Sequence, residues 1–220
     1  MVTTELSFQF KTRYFKSGMI SASTKRVLFV FHGYGQLATY FLRKFDSIAN
    51  EETVVIAPEG LHHFYLEDVN TRSQTKNNRV GATWMTRENR AMDIENYLTY
   101  LNRIYLNELQ GRNFPVTVLG FSQGAATATR WVLQGTINFE RLILWAGILP
   151  PDMDFERGHQ VLKDKPVFLV LGEKDPFVND ERIAEMEFLT NQLAILPTRI
   201  SFNGGHEIDS NTLMSLLDEK

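Results

Sequence analysis

Five short apolar runs punctuate the chain: Arg26 to Phe31 (RVLFVF), Thr53 to Ala57 (TVVIA), Pro115 to Leu119 (PVTVL), Arg141 to Trp145 (RLILW) and Pro166 to Leu171 (PVFLVL). Their hydrophobicity is continuous rather than alternating, as strands covered on both faces of a parallel sheet require. A sixth run, Thr198 to Phe202 (TRISF), alternates and predicts a strand nearer the sheet edge. Between the runs the period changes. Residues 37–49 place Leu37, Phe41, Phe45 and Ile48 at spacings of three and four, and 87–110 carries Ile94, Leu98, Leu101 and Tyr105 on one face with Gly111 as a stop. Further helices are predicted over 123–134, 180–195 and 209–218, and the weak alternation of 5–17 predicts an edge hairpin.

Strand alternating with helix predicts an α/β fold with a mostly parallel central sheet and helices on both faces. No internal repeat, low-complexity run or linker interrupts it, so one domain is expected over residues 1–220, without a large cap. The stretch 58–86 stands apart as a long connection with little periodicity, polar from Asn70 to Arg79. Connections of that length are usually functional lids or disordered segments. Its aromatic members Phe64, Tyr65 and Trp84 are candidates to line a substrate pocket, and equally to pin the loop to the body.

Composition then removes whole classes of function. A net charge of −3 excludes a strongly basic nucleic-acid binder. No apolar run approaches the roughly 18 residues that span a bilayer, so no integral membrane association is expected. Met1 to Phe10 lacks the basic start and apolar core of a signal peptide, and a cytoplasmic location is expected. The absence of cysteine excludes disulfides, thiolate metal sites and a Cys nucleophile together. Adjacent His62 and His63 do not share a helix or strand face, so no metal site is expected, and nothing calls for a cofactor.

The chemistry gathers at predicted strand ends, where open α/β sheets bind ligands. After 115–119 comes Gly120-Phe121-Ser122-Gln123-Gly124, a Gly-x-Ser-x-Gly pentapeptide between a strand and a small-residue helical stretch. In a chain with 14 glycines such a pentapeptide arises by chance roughly 0.04 times, so context must carry it. The context is supplied by His32-Gly33-Tyr34-Gly35 after the first run, Asp175 after 166–171 and His206 after 198–202. A serine hydroxyl attacks a carbonyl only when an imidazole takes its proton, which assigns Ser122 and His206. The imidazole needs a carboxylate to fix its tautomer and stabilise its charge. Asp175 completes the order Ser, Asp, His; Asp152 and Asp154, one strand earlier, are rival acids, and Asp209 is expected to cap a helix. The oxyanion calls for two backbone donors, for which the amides of Tyr34 and Gln123 are placed. His32 is expected to be structural beside that loop, and His62, His63 and His159 to lie on surface loops.

The GFSQG elbow, the HGYG loop, the LGEKDPFV segment and GGHE resemble the phospholipase/carboxylesterase group of α/β-hydrolases, which includes acyl-protein thioesterases. The resemblance runs over approximately residues 26–210. It implies an α/β-hydrolase fold, a cofactor-independent enzyme, a Ser122–Asp175–His206 triad and an oxyanion hole at the Tyr34 and Gln123 amides. The chain departs from the thioesterase pattern at Ala125, where a second glycine is usual, and at Gln36, where an acidic residue is usual. The function expected is a serine hydrolase cleaving carboxylic esters of small or medium acyl chains, with a small-molecule ester as its partner. The alternatives are a lysophospholipase or acyl-thioesterase with a greasy channel, and a non-catalytic binding protein on a hydrolase scaffold. Arg72, Lys76, Arg79, Arg87 and Arg90 are either a preference for anionic substrates or a solvated face.

Overall fold

The computed structural model describes residues 2–109 and 111–218. Among these, the strands are β1 (Tyr14–Ser17), β2 (Arg26–Phe31), β3 (Thr53–Pro58), β4 (His62–Tyr65), β5 (Val80–Thr83), β6 (Val116–Phe121), β7 (Arg141–Trp145), β8 (Val167–Gly172) and β9 (Thr198–Phe202). The helices are α1 (Ala38–Leu42), α2 (Val69–Thr75), α3 (Arg90–Leu109), α4 (Gln123–Leu133), α5 (Phe155–Leu162), α6 (Asp180–Gln192) and α7 (Ser210–Asp218). Seven strands form one sheet in the order β1-β3-β2-β6-β7-β8-β9, while β4 and β5 form a separate hairpin. All neighbours in the large sheet are parallel except β1, which runs antiparallel to β3.

The continuous apolar runs have two faces to cover, and both are covered. Val27, Phe29, Phe31, Val116, Val118, Leu142 and Leu144 pack with Tyr97, Leu101, Ala128 and Trp131 of α3 and α4, and with Met186 and Leu189 of α6. The intervening residues Leu28, Val30, Leu119, Ile143 and Trp145 meet Phe41 and Phe45 on one side and Leu213 and Leu216 of α7 on the other. Alternation of side chains about each strand divides one run between two cores.

Three expectations need correction. Residues 5–17 do not form a hairpin: only Tyr14–Ser17 is a strand, and its partner is β3 rather than a neighbour in sequence. The stretch 58–86 is not featureless, since it holds β4, α2 and β5. Helix α5 was not expected; Asp154, one of the rival acids, is its N-cap, accepting the Arg157 amide at 3.0 Å. Thr198–Phe202 is the edge strand its alternation predicts.

Candidate active site

At the end of β6 the backbone turns abruptly into α4, and Ser122 takes the corner with φ 54° and ψ −117°. That conformation costs a non-glycine residue about 1–3 kcal/mol and persists only where its surroundings enforce it. Here the Ser122 amide donates to the Trp145 carbonyl at 2.8 Å, prolonging the β6–β7 ladder past the strand end. Helix α4 lies so close that a Cβ at Gly120 would enter the Gly124 carbonyl, and one at Gly124 would enter the Phe31 carbonyl. Ser122 stands at the N-cap position, yet its side chain makes no capping bond. The hydroxyl is left for something else.

The candidate acid and base come from β8 and β9, which are interlocked beyond their last ladder bonds. The amides of Glu173 and Lys174 donate to the carbonyls of Phe202 and Gly204, both at 2.9 Å. Across this junction His206 Nδ1–H donates to Asp175 Oδ2 at 2.7 Å, and the Asp175 side chain is wholly buried. The other oxygen, Oδ1, accepts the Phe177 amide at 2.9 Å. The imidazole lies between two phenyl rings, with centroids 4.8 Å from Phe121 and 4.8 Å from Phe177. Phe121 immediately precedes Ser122, so the three strand ends converge on one corner. Among the described residues the Ser122 hydroxyl makes no hydrogen bond, so the expected bond to His206 is not formed. Nucleophile–base bonds are commonly loose before substrate arrives. Asp152 is occupied elsewhere, 2.5 Å from Arg130 and 2.9 Å from Arg90. Burial pushes its carboxyl up, but the two guanidiniums outweigh this and hold it below the usual carboxylate range. Asp209 accepts the Thr212 amide at the start of α7, as a cap does.

The loop after β2 faces the elbow across Gly33, where a Cβ would stand 3.2 Å from that of Ser122. The Gln36 side chain accepts the Gly33 amide at 2.9 Å and ties the loop into a turn. The amides of Tyr34 and Gln123 find no acceptor among the described residues. His32 anchors the loop from below. It is fully buried, its Nε2 accepts the Gly60 amide at 2.9 Å, and its Nδ1–H donates to the Gly33 carbonyl at 2.8 Å. Burial lowers its pKa to about 4, so it is a neutral structural imidazole.

The three aromatic residues of the long connection separate. Phe64 pairs with Tyr34 at 5.0 Å, beside the loop. Tyr65 is exposed and lies under the Arg72 guanidinium at 3.8 Å. Trp84 is fully buried, stacked on His32 at 4.9 Å, with its indole N–H on the His32 carbonyl. It belongs to the body and leaves no ring surface for a substrate, which corrects the pocket expectation for that residue. Of the cations near this stretch, Arg79 pairs with Glu67 and Arg90 with Asp152. His62 and His63 point to opposite sides of β4, to Asp93 and Glu59 respectively, each at 3.0 Å. Glu59 is buried, which raises its pKa; hydrogen bonds from His63, Arg13 and the Ala38 amide outweigh that and leave it lowered. Sequence reasoning missed Glu59, the side chains of Gln36 and Gln123, and Phe177. Gln36 and Phe177 carried a signal, since each lies within four residues of a singled-out position.

Hollows of about 300 Å³ and 180 Å³ lie at the opposite ends of the strands, around Asn113–Val116 and Arg26–Thr53. Neither is lined by Ser122, Asp175 or His206. No described helix is long and apolar enough to cross a membrane.

No curated protein matches the chain in sequence. Solved structures match its fold at low identity. Acyl-protein thioesterase 2 of Zea mays has a TM-score of 0.67 at 14% identity, covering 94% of this chain and 96% of that one. Esterase PE8 has 0.65 at 20%, covering 93% and 96%. A phospholipase/carboxylesterase from Dyadobacter fermentans DSM 18053 has 0.61 at 17%, covering 97% and 98%. The shared architecture is the α/β-hydrolase fold. A family model for serine hydrolases spans residues 19–214, from the turn before β2 into α7, a range that contains Ser122, Asp175 and His206, so the chain belongs to the serine hydrolase (FSH1) family.

Proposed function

We propose that the protein hydrolyses carboxylic esters of small or medium acyl chains through an acyl-enzyme on Ser122. The observation that carries this reading is the Asp175–His206 pair, its carboxylate buried and its atoms 2.7 Å apart, on the strand ends next to an elbow serine whose hydroxyl caps nothing. In the proposed reaction Ser122 Oγ bonds to the acyl carbon while its proton passes to His206 Nε2. Asp175 stabilises the imidazolium through Nδ1–H. The Tyr34 and Gln123 amides receive the negative oxygen, each such donor contributing about 3 kcal/mol to the transition state. Collapse breaks the C–O bond, and the leaving alkoxide takes the proton from His206. Water then attacks the acyl-enzyme, His206 accepts its proton, and Ser122 departs with that proton as the acid is released.

The apolar groups flanking this corner, Tyr34 and Phe177, are 61% and 66% exposed, which favours an open cleft over an enclosed channel. An open cleft suits small and medium acyl groups better than a lysophospholipid tail. The test is labelling with a fluorophosphonate, comparing wild type with Ser122→Ala, followed by product analysis on matched oxygen esters, thioesters and lysophospholipids. Labelling lost in Ser122→Ala, with oxygen esters turned over fastest, is the result expected. Equal labelling of both proteins, or none of the wild type, overturns the serine nucleophile; faster thioester or lysophospholipid turnover overturns the substrate class.

A further inference from the structure

The two amides assigned to the oxyanion come from loops on different strands, and the ladder that fixes β2 against β6 ends at the pair Phe31 and Gly120. Beyond that point something else must set their spacing, because both must approach one oxygen to about 3 Å. Strand β5 reaches both. On the edge not paired with β4, Ala82 bridges to Gln36: the Gly35 amide donates to the Ala82 carbonyl at 2.9 Å and the Ala82 amide to the Gln36 carbonyl at 3.1 Å. Gly81 lies so close that a Cβ there would enter the Gly35 backbone. Immediately downstream the end of the same strand and the two residues after it grip the elbow through the Gln123 carboxamide. Its Oε1 accepts from the Trp84 amide at 3.2 Å, and its Nε2 donates to Thr83 Oγ1 at 2.9 Å and to the Met85 carbonyl at 3.0 Å.

We infer that β5 is the brace that spaces the oxyanion hole, and that the side chains of Gln123 and Thr83 are positioning residues for the reaction. The inference rests on the serine-hydrolase reading above. Gln123 then has two separate tasks: its backbone amide is a donor to the oxyanion, and its carboxamide holds that donor in register with Tyr34 through one short strand. The hairpin behind β5 is itself held to the body, by His62 on Asp93 and His63 on Glu59. A covalent hinge is unnecessary.

A brace acts on the transition state more than on substrate binding, which separates it from a merely structural contact. In the full chain, Gln123→Met keeps the length of the side chain and removes its three grips. It is expected to lower kcat about 10- to 100-fold, the range for a misplaced catalytic group, with KM within about threefold. Inhibition by phenylboronic acid, whose tetrahedral adduct occupies the oxyanion hole, should weaken by a similar factor. Thr83→Val should act in the same direction, and Thr83→Ser, which restores the hydroxyl, should recover activity. If Gln123→Met does not fold, the Thr83 pair decides. Unchanged kcat and boronate affinity in Gln123→Met and Thr83→Val, or a loss in Thr83→Val that Thr83→Ser does not recover, overturns the brace. Ser122→Ala is measured alongside: if it hydrolyses ester as wild type does, the serine reading falls and the brace with it; if it is inactive while Gln123→Met is not slowed, the brace alone falls.

Discussion

Asp175 divides its carboxylate between His206 and Phe177, with Oδ2 2.7 Å from the imidazole Nδ1 and Oδ1 2.9 Å from the Phe177 amide. Both oxygens are committed, so the carboxylate cannot rotate away from the imidazole without breaking a bond to its own loop. Asp175→Asn keeps the shape and offers an N–H where the imidazole N–H now points, favouring the wrong tautomer. A fall in kcat of about 10³- to 10⁴-fold with little loss of stability is expected, as for such a change in serine proteases. Asp152→Asn should behave oppositely. It leaves Arg130, whose side chain is only 8% exposed, with a weakened partner. Because Asp152 itself is 42% exposed, solvent moderates the effect to about 1 kcal/mol of stability, with kcat within about threefold. Steady-state kinetics and urea unfolding of the two variants check the assignment, and reversed signatures would identify Asp152 as the acid.

His32 makes stability depend on pH in a defined window. Burial holds its folded pKa at about 4, below the ordinary histidine value of 6.5. Between those values the unfolded chain binds the proton and the folded chain does not. The contribution of neutral His32 is therefore complete above pH 6.5 and is lost as pH falls towards 4, a change of about 3 kcal/mol. His32→Gln, which retains an acceptor for the Gly60 amide, should flatten this part of the curve of urea midpoint against pH. An identical slope in wild type and variant would mean that His32 is not the group responsible.

The elbow glycines are predicted to be intolerant for a steric reason. A Cβ at Gly120 would meet the Gly124 carbonyl and the Ala125 Cα, both backbone, where no side chain can swing aside. Gly120→Ala is expected to destabilise by about 1–3 kcal/mol or more and to lower fluorophosphonate labelling, since relief requires moving α4 and Ser122 with it. Gly111 isolates the backbone cost: nothing lies within 4 Å of a Cβ there, but its φ of +75° strains any other residue by about 1–2 kcal/mol. Thermal melts should therefore fall in both variants, and fluorophosphonate labelling, lowered in Gly120→Ala and unchanged in Gly111→Ala, separates the cases.

The parts of this molecule that were legible in sequence are those where burial dictates composition. Buried strands must be apolar on both faces, so RVLFVF and RLILW announced β2 and β7, and the polar residues after β2, β6, β8 and β9 marked the candidate site. Strand β4 gave no such signal, because His62, His63 and Tyr65 are exposed and Phe64 is half-buried; its existence follows from pairing with β5 and from two histidine–carboxylate contacts with distant residues. Trp84 shows the same limit from the other side. A tryptophan in a polar stretch reads equally as wall or anchor, and only its bond to the His32 carbonyl decides. Glu59 was invisible for a related reason, since a carboxylate reveals its role only when Arg13, Ala38 and His63 converge on it.

Phe177 is where recognition of the acyl or alcohol group can be tested. Its ring stands edge-on to the His206 imidazole at 4.8 Å while 66% of the residue remains exposed. An exposed phenylalanine contributes little to folding, so truncation should move stability by no more than about 0.5 kcal/mol. A chain lying across the base would nevertheless lose an apolar wall, at about 0.8 kcal/mol for each methylene no longer covered. Phe177→Ala should therefore lower kcat/KM for butyrate or hexanoate esters more than for acetate, compressing the ratio by roughly tenfold if two methylenes are covered. Phe177→Leu should keep most of the discrimination. The measurement is kcat/KM for a series of p-nitrophenyl esters with wild type and both variants. A uniform loss at every chain length would instead assign Phe177 to holding the imidazole, and no change at all would place the acyl chain on the Tyr34 and Phe64 side of the cleft.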